Sequence, residues 1–214
     1  MMASSPIESL TTGFITNIEL FAVTLLLALP LGLILTFCSM SKFKPLRWIM
    51  KVLIWIIRGT PLMLQLFVVL YVPGLLFEVP MSSRFTAAVI AFVINYAAYF
   101  AEIYRSGIES MPKGQYEAAE VLGYTKAQTF IHIILPQVIK RVLPSVTNEM
   151  VTLVKDTSLA FSLAYMEMFT IAKQIAAKET TFVPFAVAAV FYFIFNWIVS
   201  AGMTKVEEKL NYYR

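Results

Sequence analysis

Long apolar runs alternate with short polar segments along the whole chain. A transmembrane helix needs about 20 mostly apolar residues. The apolar runs cover residues 14–40, 61–76, 85–105, 140–165 and 185–203. The pattern therefore predicts an all-α membrane protein with five transmembrane helices, folded as a single domain over residues 1–214.

A basic, amphipathic stretch precedes the second apolar run. Arg47, Lys51 and Arg58 lie at positions i, i+4 and i+11, which places them on one helical face. Residues 46–58 are therefore interpreted as a partly interfacial helix whose basic side chains extend to the lipid headgroups. Gly59-Thr60-Pro61 is expected to break this helix before the crossing begins.

The segments between the apolar runs are predicted as loops. Residues 72–84 form a turn-rich loop, residues 106–137 a long polar connection between the third and fourth helices, and residues 166–184 a polar loop. A short amphipathic tail, residues 205–214, closes the chain. Residues 1–12 lack the basic segment of a cleaved signal peptide, so none is expected.

The composition supports the assignment to the membrane. The 214 residues are 59% hydrophobic and 14% charged, with a mean hydropathy of +0.75, whereas soluble domains carry about 25% charged residues. The net charge of +4 does not indicate a nucleic-acid partner, because the basic residues are spread along the loops. The one cysteine, Cys38, lies in an apolar run and is interpreted as a packing residue.

The distribution of lysine and arginine predicts the orientation. One side of the predicted membrane receives twelve of these residues: Lys42, Lys44, Arg47, Lys51, Arg105, Lys113, Lys126, Lys140, Arg141, Lys205, Lys209 and Arg214. The other side receives three: Arg84, Lys173 and Lys178. Because basic residues are enriched in cytoplasmic loops, the C-terminus and the 106–137 loop are expected in the cytoplasm and the N-terminus outside.

The polar segment 117–136 is predicted to hold two short helices. Residues 115–122 form the first helix, which ends at Gly123 in a left-handed conformation. Thr125 and Gln128 have the spacing of a capping box that begins the second helix. Pro136 is expected to bend or stop that helix. Ala118 and Ala119 leave one face almost without side chains, which suggests a docking surface for another protein.

Polar residues recur inside two predicted transmembrane helices. In the fourth helix they form one broad arc: Ser145, Asn148, Glu149, Thr152, Lys155 and Asp156. In the third helix they form a narrower stripe: Asn95, Tyr99, Glu102 and Ser106. Lipid cannot solvate such groups, so they are expected to face protein or a water-filled cavity. Lys155 and Asp156 either pair with another helix or line the cavity, and Glu102 is expected to pair with Arg105.

No enzymatic centre is evident in the sequence. His132 is the single histidine, so neither a metal cluster nor a histidine-activated nucleophile is expected. No phosphate-binding G-x-x-x-x-G-K-[ST] motif occurs. If transport through this chain is driven by ATP, another polypeptide must bind the ATP, and this chain is expected to bind no cofactor.

The polar segment resembles the EAA loop of permeases from binding-protein-dependent ABC importers of type I. The resemblance rests on Glu117-Ala118-Ala119, Gly123, Ile133 and Leu135-Pro136 at the family's spacing. In that family the loop is a coupling helix that sits in a groove of the cytoplasmic ATPase. The resemblance therefore assigns ATPase coupling to six residues: Glu117, Ala118, Ala119, Gly123, Leu135 and Pro136.

Further motifs resemble permeases for polar amino acids. They are Arg58-Gly59-Thr60-Pro61-Leu62 with Gln65, Ala98-Tyr99-Phe100-Ala101-Glu102-Ile103, Arg105-Ser106-Gly107-Ile108, Gly114-Gln115-Tyr116-Glu117 and Lys155-Asp156-Thr157-Ser158-Leu159. Such permeases lie in the bacterial cytoplasmic (inner) membrane, pair as homodimers or close heterodimers, bind a dimer of ATPases that holds Mg-ATP, and receive substrate from an external binding protein. The resemblance and the polar pattern together select seven substrate-site residues: Thr60, Asn95, Tyr99, Thr152, Lys155, Asp156 and Ser158.

Two other functions compete with an amino-acid importer subunit. A methionine-type ABC permease has a similar size, but the Arg58-Gly59-Thr60-Pro61 segment argues against it. An ion-coupled secondary transporter would suit the buried charges of the fourth helix, but five helices without an inverted repeat fit that class poorly. The sequence leaves open which amino acid is carried, whether the dimer is homomeric, and whether Arg58 and Glu102 reach the pocket.

Overall fold

The computed structural model describes residues 5–210, and its regular structure over that range is entirely helical. The α-helices are α1 (Pro6–Ser39), α2 (Lys44–Gly59), α3 (Leu62–Phe77), α4 (Arg84–Glu109), α5 (Lys113–Val121), α6 (Lys126–Gln128), α7 (Leu135–Asp156), α8 (Met168–Glu179) and α9 (Val183–Leu210). A π-helix, Thr129–Ile134, joins α6 to α7, and a 3₁₀ helix, Thr157–Leu163, follows α7. Predictions that concern residues 1–4 and 211–214 lie outside the described residues.

Three helices of the described chain are long and apolar enough to cross a membrane, namely α1, α4 and α9. The pair α2 and α3 reaches the same standard only when its two members are counted together. The helix α7, predicted as the fourth crossing, does not reach it, because the polar arc between Ser145 and Asp156 lowers its hydropathy. The structure thus supports three or four apolar crossings by length and composition.

The helices α1 and α4 cross in close contact. Gly32 meets the α4 backbone, and a Cβ atom added there would lie 2.8 Å from Phe100 Cβ and 3.0 Å from the Ala97 carbonyl oxygen. One turn further on, the Thr36 hydroxyl donates a hydrogen bond of 3.0 Å to the Ala101 carbonyl. Small residues let two helix backbones approach in this way. This crossing fixes α4 in the centre of the molecule, with most of its small residues buried.

The break predicted at Gly59-Thr60-Pro61 is present. The helix direction bends by 109° between α2 and α3, and Thr60 and Pro61 have extended backbone angles at the bend. The loop predicted over residues 72–84 begins later, because α3 continues through Pro73 and ends at Glu78 in a left-handed conformation. A proline inside a helix removes one backbone hydrogen bond. Apolar helices tolerate this loss, because groups on neighbouring helices can satisfy the freed carbonyl.

The first and last helices in the sequence, α1 and α9, extend beyond their apolar runs. The helix α1 begins at Pro6, where Ser5 accepts a hydrogen bond of 3.2 Å from the Glu8 amide. The helix α9 includes residues 205–210, which were predicted as part of a separate tail. Hydropathy locates the apolar portion of a helix, whereas a capping residue such as Ser5 sets its end.

Residues 166–184 were predicted as a polar loop, and this prediction is wrong. Most of the segment forms α8, which is capped at its N-terminus by the Glu167 carboxylate. Met168, Ala172 and Ala176 recur every four residues and are buried on one face of the helix. Two of these three residues are alanines, whose small side chains make the apolar periodicity too weak to predict a helix from the sequence.

Pro136 does not stop the helical path, although stopping it was one of the two predicted outcomes. The capping box predicted at Thr125 and Gln128 is present, and the helical path then continues through the π-helix into α7. Pro136 lies in the first turn of α7, a position where the missing proline N–H is tolerated. The wider π-helical turn ahead of it absorbs the break in the hydrogen-bond ladder.

Candidate functional site

Gln65 joins two of the predicted substrate-site residues at the α2–α3 bend. Its amide nitrogen, which carries two hydrogens, lies within hydrogen-bond distance of the Ile57 carbonyl at 2.8 Å, the Thr60 carbonyl at 3.1 Å and the Thr60 hydroxyl at 2.9 Å. Its amide oxygen accepts a hydrogen bond of 3.0 Å from Asn95, which is buried in α4. The Gln65 side chain therefore ties the bend to α4.

Asp156 turns toward the same part of α4. Its carboxylate accepts a hydrogen bond of 2.8 Å from the hydroxyl of Tyr96, whose side chain is 1% exposed. The ring of Tyr96 also lies 6.3 Å from the ring of Tyr99. Asn95, Tyr96 and Tyr99 lie within about one turn of α4, so this part of α4 contacts Gln65 at the bend through Asn95 and Asp156 of α7 through Tyr96.

Charged groups continue this cluster along α4. The Arg58 guanidinium lies 5.2 Å from the centre of the Tyr99 ring and 3.9 Å from the Glu102 carboxylate. Glu102 also pairs with Arg105, as predicted, and Arg105 pairs with Glu109. Arg58 was expected to extend to the headgroups, but its side chain turns to α4 because the bend places it beside Glu102.

Lys155 of α7 and Ser158 of the 3₁₀ helix face a different neighbour from Asp156. They line a cavity of about 550 Å³ whose other walls come from α8, α9 and the link between them: Phe169, Phe182, Phe185, Ala188, Ala189 and Tyr192. Successive residues of a helix are 100° apart, so neighbours in sequence face different partners. No ion pair joins Lys155 to Asp156 among residues 5–210.

Thr152 lies about one turn before Lys155 and Asp156 in α7. Its hydroxyl donates a hydrogen bond of 3.0 Å to the Asn148 carbonyl of its own helix. The structure thus brings Thr60, Asn95, Tyr99 and Asp156 around α4, and it leaves Lys155 and Ser158 in the cavity beside α8 and α9.

A second cavity, of about 380 Å³, lies between α4 and α7 near the segment that joins them. Its walls include three of the predicted polar residues, namely Glu102 and Ser106 of the α4 stripe and Ser145 of the α7 arc. The other lining residues are Ile103, Gly107, Ser110, Arg141 and Val142. The Arg141 guanidinium donates to the carbonyl of Ser110 at 2.7 Å, at the end of α4. Glu102 and Ser106 of the α4 stripe and Ser145 of the α7 arc therefore face a space lined by protein.

The segment 117–136 contains the helix end that its sequence predicts. Gly123 follows the C-cap residue of α5 and has a φ of +80°. The Tyr124 amide donates to the Ala119 carbonyl and the Gly123 amide to the Glu120 carbonyl, each at 3.0 Å. These two bonds form a Schellman motif, which requires a left-handed residue at the position of Gly123.

The exposed face of α5 differs from the prediction. Ala119 is 1% exposed and is turned into the protein, whereas Ala118 and Glu117 are exposed. Val121 and Leu122 are 87% and 73% exposed at the end of the helix. The two large apolar side chains therefore replace the expected small-residue face.

The other predicted coupling residues lie further along the connection. Leu135 is half-buried at the start of α7, and Pro136 is exposed beside it. His132 is exposed in the π-helix, where its Nδ1 lies 3.1 Å from the Gln128 carbonyl oxygen. Among residues 5–210, no group of three or more histidine, cysteine, aspartate and glutamate side chains is arranged to hold a metal ion.

Sequence reasoning missed Gln65 and Tyr96 as members of the cluster. Gln65 is the one amide side chain in α3, which begins at Leu62 and is otherwise apolar. A single polar side chain in an apolar helix could have marked Gln65 as a candidate site residue. Tyr96 adjoins Asn95 but falls outside the polar stripe that passes through Tyr99. Its role depends on contact with α7, which no spacing within α4 reveals.

Comparison with known proteins gives a match along nearly the whole chain. The family profile described as "Binding-protein-dependent transport system inner membrane component" matches residues 28–212. The L-cystine transport system permease protein TcyB of Bacillus subtilis (strain 168) is 38% identical over 207 residues, which cover 95% of this chain and 87% of that protein.

Solved structures show the same fold. The crystal structure of an amino acid ABC transporter with histidines matches with a TM-score of 0.86 and 31% identity, covering 94% of each chain. An inward-facing structure of the MetNI methionine ABC transporter matches with a TM-score of 0.76 at 16% identity, covering 98% of this chain and 100% of that one, and it supports the fold alone. The chain therefore belongs to the family of inner membrane components of binding-protein-dependent transport systems.

Proposed function

We propose that this chain is the membrane-spanning subunit of an ATP-driven importer of polar amino acids. The observation that supports it most is the likeness, over 94% of the chain, to an amino acid ABC transporter at 31% identity. The cystine permease TcyB, at 38% identity, supports the same class of substrate. The chain is a transport component rather than an enzyme.

The proposed partners follow from the family and from the absence of a phosphate-binding motif in the sequence. A dimer of separate cytoplasmic ATPases binds Mg-ATP, and an external binding protein delivers the amino acid. A second permease subunit, either a copy of this chain or a close relative, completes the translocation path. This assembly lies in the bacterial inner membrane.

We also propose five crossings, formed by α1, α3, α4, α7 with the 3₁₀ helix, and α9. The excess of basic residues places the loop 106–137 and the C-terminus in the cytoplasm and the N-terminus outside. A polar α7 is compatible with a crossing, because its arc contacts α4 and two protein-lined cavities. The bend between α2 and α3 brings Arg58 to the cytoplasmic half of α4.

The proposed substrate pocket lies where the α2–α3 bend, α4 and α7 meet. An amino acid brings an ammonium group and a carboxylate, and each needs a partner when water is removed. Asp156 would hold the cationic group, and the hydrogen bond from Tyr96 fixes its carboxylate on one side. Thr60 and Asn95, joined through Gln65, offer hydrogen bonds without adding charge, and Tyr99 offers an aromatic face.

Thr152 and Lys155 belong to the last two turns of α7, and Ser158 belongs to the 3₁₀ helix that follows it. Lys155 and Ser158 line the 550 Å³ cavity, so we propose that they act on the substrate path beside the pocket rather than inside it. The ammonium group of Lys155 would attract the carboxylate of an amino acid that enters or leaves the pocket.

The proposed coupling surface is the exposed side of α5 and the turn that follows it. Glu117, Ala118 and Gly123 stay in the surface assigned by the resemblance, and Val121 and Leu122 are added because both are exposed. Contiguous exposed apolar residues on a helix end mark an interaction site. Ala119, Leu135 and Pro136 would support this surface from behind, since Ala119 is buried and the other two begin α7.

The alternatives receive less support. The methionine transporter is 16% identical to this chain. Similarity at this level supports a common fold and does not support a common substrate. An ion-coupled secondary transporter would not belong to a family that depends on a binding protein.

Reconstituted uptake tests the proposed function directly. Proteoliposomes that contain this chain, its ATPase and its binding protein should take up at least one of radiolabelled L-cystine, L-histidine, L-glutamine or L-arginine when ATP is enclosed. Omission of the ATPase or the binding protein should abolish uptake. Accumulation by the chain alone under a sodium or proton gradient would establish the secondary transporter instead.

Asp156→Asn tests the pocket. The substitution keeps the shape of the side chain and removes its charge, and loss of a charge-assisted hydrogen bond costs about 1.5–3 kcal/mol. Uptake at subsaturating substrate should fall roughly ten- to a hundredfold, whereas complex assembly and basal ATP hydrolysis should persist. Glu179→Gln removes an exposed carboxylate at the end of α8 and should leave uptake unchanged. An Asp156→Asn complex that does not assemble would make Asp156 a structural residue.

Gly123→Val tests the coupling surface. A β-branched residue is strained at a φ of +80°, so the variant should disrupt the end of α5. Membrane insertion should be normal, but binding of the ATPase, measured by co-purification, should fall. Gly114→Ala lies in the same helix with open space around the added Cβ and serves as the control. ATP-driven uptake at the wild-type rate by Gly123→Val would refute the role of this turn.

A further inference from the structure

We propose that Asn17 of α1 and Glu167, the N-terminal cap of α8, are positioning residues for the substrate pocket. They act through Thr157, which follows Asp156 directly in the chain. The inference rests on the proposed role of Asp156, and it assigns a function to a buried polar network away from the pocket itself.

Asn17 is the centre of this network. Its side chain is 0% exposed, and its amide nitrogen lies 3.0 Å from the Thr157 hydroxyl, 3.3 Å from the Glu167 carboxylate and 2.9 Å from the Tyr192 hydroxyl. Its amide oxygen accepts a hydrogen bond of 3.0 Å from the Met168 amide. One side chain thus joins α1 to the 3₁₀ helix, to the start of α8 and to α9.

Glu167 makes the network costly to rearrange. The side chain is 0% exposed, and it accepts hydrogen bonds from the Phe169 amide at 2.7 Å, from the Thr170 amide at 2.6 Å and from the Thr170 hydroxyl at 2.8 Å. A buried carboxylate is tolerated only where donors surround it. Because the donors come from the first turn of α8 and from Asn17, the carboxylate locks α8 against α1.

Thr157 transmits this arrangement to the pocket. It begins the 3₁₀ helix at the point where α7 ends, and its hydroxyl donates a hydrogen bond of 2.7 Å to the Val154 carbonyl while accepting one from Asn17. The far end of the 3₁₀ helix is held as well, since Arg84 donates a hydrogen bond of 2.9 Å to the Ala164 carbonyl. The segment that follows Asp156 is therefore fixed at both ends.

The position of Asp156 depends on this fixed segment. A 3₁₀ helix has poorer hydrogen-bond geometry than an α-helix and marks places where a helix can shift. Asp156 contacts Tyr96 at 2.8 Å, and hydrogen bonds weaken steeply when their geometry changes. Displacement of a binding group by about 1 Å can lower activity by two orders of magnitude. Asn17 and Glu167 prevent that displacement from a distance.

A double-mutant cycle separates positioning from general stability. Asn17→Leu keeps the volume of the side chain and removes its hydrogen bonds, and uptake of the fastest transported of the four amino acids should fall about tenfold per assembled complex. In the Asp156→Asn background the same change should lower uptake by less than about twofold, because a residue that acts through Asp156 has nothing left to position. Thr24→Val is the control in the same helix, since the buried Thr24 hydroxyl has no hydrogen-bond partner among the described residues.

The outcomes distinguish this inference from the proposed pocket. An equal loss from Asn17→Leu in both backgrounds, or no loss in either, would overturn the positioning role. Full uptake by Asp156→Asn alone would overturn the pocket assignment, and the positioning role with it. If Asn17→Leu does not assemble, Thr157→Val and Thr157→Ser decide the matter in both backgrounds. Thr157→Ser keeps the hydroxyl and should retain uptake, whereas Thr157→Val should reproduce the loss and its dependence on Asp156.

Discussion

Polar groups inside a membrane protein must find their partners within the protein, and Gln65 meets this requirement at the bend between α2 and α3. The break between α2 and α3 leaves carbonyls without helical partners, and the Gln65 amide satisfies those of Ile57 and Thr60. Asn95 then holds the other end of the same amide. The bend, the predicted pocket residues and the central helix α4 are consequently parts of one hydrogen-bonded unit.

The position of α4 gives this unit its rigid support. Gly32 allows α1 to approach within contact of the α4 backbone, and Thr36 adds a hydrogen bond across the same crossing. With one face of α4 packed in this way, its polar stripe is directed to the bend and to α7. Glu102 of the stripe meets Arg58, and Tyr96, which lies beside the stripe, meets Asp156. Packing by small residues and pairing of polar residues thus operate on adjacent faces of one helix.

Local chemistry made several features predictable from the sequence. The break at Gly59-Thr60-Pro61, the left-handed Gly123 and the capping box of Thr125 each depend on residues within a few positions of one another, and all three are present. The family was also recognisable, because its motifs are spread along the chain at fixed spacing. Helix ends were less predictable, since α9 continues beyond its apolar portion.

Contacts between helices could not be predicted in the same way. Periodicity placed Lys155 and Asp156 on one polar arc, but the two residues face different neighbours, and only the packing of α8 and α9 decides which. Tyr96 was overlooked for the same reason, because its partner lies 60 residues away in the chain. A single sequence specifies the faces of a helix and leaves open which neighbour covers each face.

An electron cryo-microscopy map of the assembled transporter with bound amino acid tests the central claim most directly. The account predicts density for the substrate at the junction of the α2–α3 bend, α4 and α7, with its ammonium group beside Asp156 and within reach of Asn95 and Thr60. Substrate density in the cavity lined by Lys155 and Ser158, with Asp156 still bonded to Tyr96 alone, would contradict it.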